Sequence, residues 1–333
     1  MLTDNGNRGK LLRIARVVAV MAALAASFLT FPAGVPWMVA GWLAVFTWGV
    51  VRGRSGVWCL AIPVLVILIK RVDWPPGLWL TLIVLVIVAV AFIISRRRDG
   101  KLARRRRFAA LGAVWLAWIV LACDWHRSAH ANHVIAPFDA RPIVCLGDSL
   151  TSLGAEGGYP EVLAAMVAAR VINLGQPGIT STEALKQLPA LWAARPQAVV
   201  IELGGHDCLK DPTLFKRRSR AATKQNLARF ITAAHEIGAE VILIEIPRAF
   251  ISDPFAGLER ELAREYDVEL VPDTVIREFV LYSPYAPPGI WTGGPYLSDD
   301  GLHPNARGNE FMARHVAGAL ARLFGRQSQK PRG

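Results

Sequence analysis

A serine hydroxyl is a weak nucleophile until a base takes its proton and a third group orients that base. Gly147-Asp148-Ser149-Leu150 places Ser149 where an apolar run gives way to a helical one, a turn at which its oxygen can stand exposed. His303 is the candidate base. Asp300 lies three residues earlier in Asp299-Asp300-Gly301-Leu302-His303-Pro304-Asn305, so one turn can bring both side chains to one side. The chemistry open to this set is acyl transfer through an acyl-enzyme on Ser149. Such a site also needs donors for the oxyanion. The backbone N–H groups of Ser149 and Gly178 are placed for this, and a third donor is expected from the loop Gly204-Gly205-His206-Asp207. No metal or cofactor is required.

Plainer roles stand beside these. Asp148 reads as a structural acceptor in its loop, Asp299 as solvated, and Asp207 as a brace for its own loop. Gly178 also suits a simple turn. His235 and His315 fall on helical stretches and suit packing or the surface.

The elements that must position these residues alternate from residue 141 onward. Strand runs are expected at 142–146, 171–174, 198–203, 241–246 and 268–271. Helical runs are expected at about 160–170, 181–194, 216–237, 255–266 and 305–325. Alternation argues a parallel sheet with helices on both faces. The continuous apolar character of the strands fits burial on both sides. In such sheets the ligand site lies at the carboxyl ends of the strands, where the loops carrying Ser149, Gly178 and His206 all begin.

Gly-Asp-Ser-Leu, a glycine loop, Gly-Gly-X-Asp and Asp-X-X-His, in that order, resemble the SGNH/GDSL hydrolase family. The stretches 200–207 and 298–305 look most like its bacterial thioesterase/lysophospholipase/arylesterase branch. The resemblance covers about residues 141–325. It implies a flavodoxin-like three-layer α/β/α fold, Ser149 as nucleophile, and Asp300 and His303 completing the triad. It also implies Ser149, Gly178 and the third-block residue as oxyanion donors. That third-block residue is His206, where the family usually carries asparagine.

The front of the chain is different. Of 333 residues 53% are hydrophobic, and the net charge is +12. Residues 1–133 hold 17 Lys and Arg against 4 Asp and Glu, so the basic excess lies entirely there. Five apolar runs, at about 14–32, 34–51, 55–70, 78–95 and 108–123, approach the roughly 20 residues a membrane span needs; Pro63 interrupts the third, short run. Basic residues cluster before the first run, at Arg52 and Arg54, and most densely as eight Lys/Arg in residues 96–107. By the positive-inside rule these segments are cytoplasmic, and everything after the fifth run is extracytoplasmic. Membrane topology therefore accounts for the basicity, and nucleic acid is not an expected partner. Ala25-Ala26-Ser27 also resembles a processing site, which would remove one span and leave the orientation unchanged. A re-entrant third run would invert it.

The expected organisation is a transmembrane region over 1–125, a linker over 126–140, a hydrolase domain over 141–326 and a flexible tail over 327–333. His126, His130 and His133 in the linker have a metal-compatible spacing, but no Cys or Glu accompanies them, and a juxtamembrane stalk is favoured. Cys59, Cys123, Cys145 and Cys208 are favoured as small buried thiols over a Cys145–Cys208 bridge. The expected protein is an integral protein of the bacterial inner membrane that cleaves a lipid or other acyl ester outside the cytoplasm. Acyl-CoA, being cytosolic, is disfavoured. An acyltransferase or O-acetylesterase acting on envelope glycans and a non-catalytic scaffold are the rivals. The aromatic-, Pro- and Gly-rich segment 282–296 suits either an acyl pocket or a packed loop.

Overall fold

A computed structural model describes residues 18–24, 27, 35–52, 57–70, 76–95, 101–127, 129–131, 136–139, 141–152, 158–208, 219–246, 255, 257–272, 296–298, 300 and 303–330. The chain forms two compact units, Met1–Cys123 with Phe250–Asp253, and Asp124–Ala249 with Pro254–Gly333. The third histidine of the linker, His133, and the segment 282–295 lie outside the described residues, as does Asp299.

The N-terminal region is helical, with helices at Val35–Val51, Trp58–Lys70, Pro76–Ser95 and Lys101–Arg127. These coincide with four of the five expected apolar runs; the first run is described only in part, as helix at 18–24. Among the described residues, Arg105–Arg127 is long and apolar enough to cross a membrane, while Pro36–Val51 and Gly77–Ile93 are apolar but shorter. Polar atoms in this unit find partners between helices. Thr81 Oγ1 donates to Ala117 O at 2.9 Å, and Trp118 Nε1 donates to Pro36 O at 2.8 Å. Each of these bonds joins two of the helices.

The second unit is built on five parallel strands, β1 (Ile143–Gly147), β2 (Val171–Asn173), β3 (Ala198–Glu202), β4 (Glu240–Ile244) and β5 (Glu269–Val271). Their order across the sheet is β2-β1-β3-β4-β5, the flavodoxin-like doubly wound order. Alternate strand residues serve opposite faces. Val144, Leu146, Val199 and Ile201 pack with Phe230, Leu258 and Leu262 on one side. Cys145, Val200, Ile242 and Ile244 pack with Leu163, Val316 and Leu320 on the other. Every residue of β1 and β3 is buried, as two covered faces require.

Several boundaries differ from the sequence expectation for local reasons. The helical run 181–194 is divided into Ser181–Ala184, a 3₁₀ turn at Leu185–Gln187, and Leu188–Ala194. Pro189 has no N–H to give to a continuous ladder, and it sits at the start of the last piece. The run 160–170 stops at Met166, because Val167 turns to extended backbone and bridges Gln329. That bridge, with Lys330 N donating to Met166 O at 2.9 Å, also ties down part of the stretch expected to be a flexible tail. Ser219 and Asn305 cap the helices Arg220–Glu236 and Ala306–Phe324 through their side chains, as N-cap residues do.

The stretch read as a linker runs along the domain. Ala129 O accepts from Leu270 N at 3.0 Å, Ala136 N donates to Leu323 O at 2.8 Å, and Phe138 meets Phe324 edge-on at 5.7 Å. His130 Nδ1 lies 3.1 Å from Glu269 Oε1, an acidic partner too distant in sequence to be read from spacing. No metal-binding group of His, Cys, Asp and Glu occurs among the described residues. Cys145 is a free thiol in mid-strand, not half of a bridge, and burial pushes its pKa up to about 12. Cys59 is buried, but Cys123 is exposed, contrary to the buried-thiol expectation.

Candidate active site

The turn after β1 is held from beneath. Asp148 N donates to both the carbonyl oxygen and the side-chain Oε2 of Glu202, at 3.3 Å each. Asp148 O in turn accepts from Thr151 N and Ser152 N, which starts the short helix Ser149–Ser152. Asp148 Oδ1 accepts from Leu150 N at 3.0 Å, the structural role expected of it. Gly147 has no room for a side chain, since a Cβ there would fall 1.8 Å from Thr151 Oγ1 and 2.9 Å from Glu202 O. Ser149, at the helix start, is 8% exposed.

The loop after β2 runs beside this turn, with Gln176 N donating to Gly147 O at 3.0 Å. Gly178 is exposed and has φ +75°, a left-handed conformation that favours glycine. Among the described residues its N–H has no hydrogen-bond partner. The loop then enters the helix at Ser181 through a capping box between Thr180 and Glu183.

The loop after β3 carries His206 on the one-turn helix Gly205–Cys208. Its Nε2 lies 3.9 Å from Asp148 Oδ2, and the ring is partly exposed. Asp207 corrects the expectation that it braces its own loop. It accepts from Ser181 N at 2.8 Å, Ser181 Oγ at 2.7 Å and Thr223 Oγ1 at 3.0 Å, all on other elements.

The last block forms a tight loop before the C-terminal helix. Leu297 bridges Pro304, and Ser298 N donates to His303 O at 2.8 Å. Asn305 clamps the base of the loop, donating from Nδ2 to Leu297 O at 3.0 Å while its Oδ1 accepts from Gly308 N at 3.1 Å. Within the loop His303 Nδ1 is 2.6 Å from Asp300 Oδ2, and His303 N donates to Asp300 Oδ1 at 2.9 Å. A carboxylate can only accept, so Nδ1 carries the proton and Nε2 presents a lone pair. That Nε2 is buried and makes no hydrogen bond among the described residues, Ser149 included, so the Ser149–His303 bond of a working triad is not formed here. Catalytic hydrogen bonds often tighten only when substrate is bound.

The sheet topology brings these loops to one edge, where their charges act on one another. Burial pushes the Asp148 carboxyl above its ordinary range, opposed by the Leu150 N–H and by the nearby His206 and His303. Glu202 is pushed well above the carboxylate range by burial, with the Asp148 charge adding to it. His206 and His303 thus both act on one aspartate, the chain neighbour of Ser149, at the carboxyl end of β1. Glu202 itself escaped the sequence reading. Its only signal was an acidic residue inside the otherwise apolar run 198–203.

Residues 145–311 match the GDSL-like Lipase/Acylhydrolase family. The chain is 30% identical over 200 residues to thioesterase 1/protease 1/lysophospholipase L1 of Escherichia coli strain K12, covering 57% of this chain and 88% of that protein. It is 28% identical over 194 residues to the arylesterase of Vibrio mimicus, covering 54% and 88%. Among solved structures, that of TesA is similar at 28% identity and a TM-score of 0.43, covering 55% of this chain and 99% of that one.

Proposed function

This chain belongs to the GDSL-like Lipase/Acylhydrolase family and is an ester hydrolase, and from that premise we propose that Ser149, His303 and Asp300 form its catalytic triad. Ser149 Oγ attacks the ester carbonyl as His303 Nε2 takes its proton. Asp300 holds the ring with Nδ1 protonated and stabilises the imidazolium that forms. The oxyanion is met by the N–H groups of Ser149 and Gly178 and by a ring N–H of His206. As the tetrahedral intermediate collapses, the ester C–O bond breaks and the leaving alkoxide takes the proton from His303. Water then repeats the sequence on the acyl-enzyme, releasing the acid and restoring Ser149.

The observation that carries this reading is the 2.6 Å Asp300–His303 contact, which leaves a bare, buried Nε2 at the same edge as Ser149. Ser149→Ala should abolish both ester hydrolysis and labelling by a fluorophosphonate probe, with the thermal melt retained. Undiminished turnover by the pure variant would remove Ser149 from the mechanism.

The proposed setting is a membrane, with the helices of the N-terminal region as spans and the hydrolase domain extracytoplasmic. Among the described residues every exposed large apolar side chain except Trp192 falls between Val18 and Val120, including Trp37, Ile83, Ile87 and Leu116. Soluble proteins rarely leave so many large apolar side chains of one region in water, whereas lipid would cover them. The proposed substrates are lipid or other acyl esters reached beside the bilayer. One of the similar proteins is named a lysophospholipase.

A further inference from the structure

We propose that Glu202 is a positioning residue that stays protonated at neutral pH and donates its carboxyl proton to Asp148, holding the turn that presents Ser149. The proposal rests on the reading of Ser149 as nucleophile. Glu202 closes β3 opposite Gly147 of β1 and is fully buried. Its Oε2 accepts from Thr151 Oγ1 at 3.0 Å and from Asp148 N at 3.3 Å, so it touches the turn both before and after Ser149. Asp148, itself 3% exposed, is its direct neighbour, and Glu202 Oε1 is buried with no hydrogen-bond partner among the described residues, free to carry a proton toward the Asp148 carboxylate.

Two carboxyl groups in buried contact do not both ionise. The surroundings decide which one keeps the proton. The Leu150 N–H donates to Asp148 at 3.0 Å, and the nearby His206 and His303 favour a negative charge there whenever they are protonated. Glu202 faces the neutral hydroxyl groups of Thr151 and Tyr159, with no cation opposite it among its described neighbours. Tyr159 and Cys145 are both held neutral by burial. The negative charge therefore sits on Asp148 and the proton on Glu202, and the shift of Glu202 well above the carboxylate range agrees. A neutral Glu202 donates to Asp148 and accepts from Thr151 at once. An ionised one would repel Asp148 and loosen the turn between them.

The test uses the full chain in detergent micelles, as wild type, Glu202→Gln, Glu202→Ala and Ser149→Ala. A glutamine amide can donate to Asp148 while its carbonyl accepts from Thr151, so it reproduces the neutral acid. Glu202→Gln is expected to keep kcat within about 3-fold at pH 7, while Glu202→Ala loses at least about 30-fold in kcat with KM little changed, as the loss of a positioning contact to a buried polar group implies. A carboxyl pKa that is raised in the folded state also predicts a pH signature. The stability contributed by Glu202 is full below its ordinary carboxyl pKa and is lost as pH rises toward the raised one. The Tm of Glu202→Gln should therefore gain steadily on wild type from pH 5 to pH 8. A Tm difference that is flat across this range overturns the proposal, as does a Glu202→Gln kcat as low as that of Glu202→Ala. Should Glu202→Ala not fold, the glutamine variant alone decides, since a kcat loss beyond about 10-fold or a flat difference overturns the idea. The melting arm needs no substrate, so it stands apart from the Ser149 reading, which Ser149→Ala tests in the same preparation.

Discussion

Asp300 holds His303 at two points, accepting from the ring at Nδ1 through one carboxylate oxygen and from the backbone N–H through the other. The ring cannot rotate without losing the shorter bond. Asp300→Asn would offer an amide that can donate to Nδ1, favouring the tautomer that protonates Nε2 and disables it as a base. The corresponding change in serine proteases costs about 10⁴ in kcat. Asp300 is half exposed, and water can replace part of its role, so a kcat loss of about 10²–10⁴ is expected with KM nearly unchanged. Steady-state kinetics on one soluble ester decide this, and a loss below about 10-fold would remove Asp300 from the triad.

His206→Ala is expected to lower kcat by about 10²–10³, the usual cost of one oxyanion donor. His206→Asn should retain much of the activity, because an amide N–H replaces the ring N–H. Neutral imidazole has one N–H and imidazolium has two, so wild type and the asparagine variant should differ in their profiles between pH 6 and 9. Wild-type rates in the alanine variant at every pH would leave only the two backbone donors.

Two glycines of one helix give a paired test of the loop that carries His303. A Cβ on Gly308 would lie 2.3 Å from the backbone oxygen of Tyr296, which cannot swing aside as a side chain can. Gly308→Ala must displace that loop, costing about 1–3 kcal/mol as an overpacking change does and lowering kcat along with Tm. At Gly318 the nearest atom to a new Cβ is the end of Arg322 at 3.8 Å. Gly318→Ala should leave kcat unchanged and raise Tm slightly, since alanine is favoured by up to about 1 kcal/mol inside a helix. Equal melts and rates for the two variants would contradict the tight Gly308–Tyr296 approach.

Much of this was legible because it is local or periodic. The strands are continuous apolar runs, and β1 to β5 each fall within two residues of their expected ends. Asp300 and His303 share one loop, so spacing alone could pair them. What escaped reading depends on contacts across the fold. Asp207 meets Ser181 from 26 residues away, and His130 meets Glu269 from 139. The buried Arg260–Glu245 pair, 2.6 Å between Nη2 and Oε2, joins a helix with an acidic first turn to the end of β4. Nothing in either segment's own pattern marks it, because amphipathic periodicity assigns charged residues to water.

Fusions of a reporter active only outside the cytoplasm, placed at Arg332, should be active, and those of a cytoplasm-only reporter should be silent. The basis is the concentration of Lys and Arg in residues 1–133 around apolar helices. The reverse pattern would put the hydrolase domain inside and reopen acyl-CoA as a substrate.

Asp207 stands next to His206 and binds Ser181, three residues beyond Gly178. One carboxylate therefore ties the loop of one proposed oxyanion donor to the loop of the other. The gap between these donors is set by the size of a single side chain and does not drift with either loop. Adaptation to bulkier or smaller acyl groups must then come from walls that Asp207 does not touch. Lengthening Asp207 by one methylene would spread the two loops together, and the enzyme would lose its grip on the transition state before it lost its grip on the substrate.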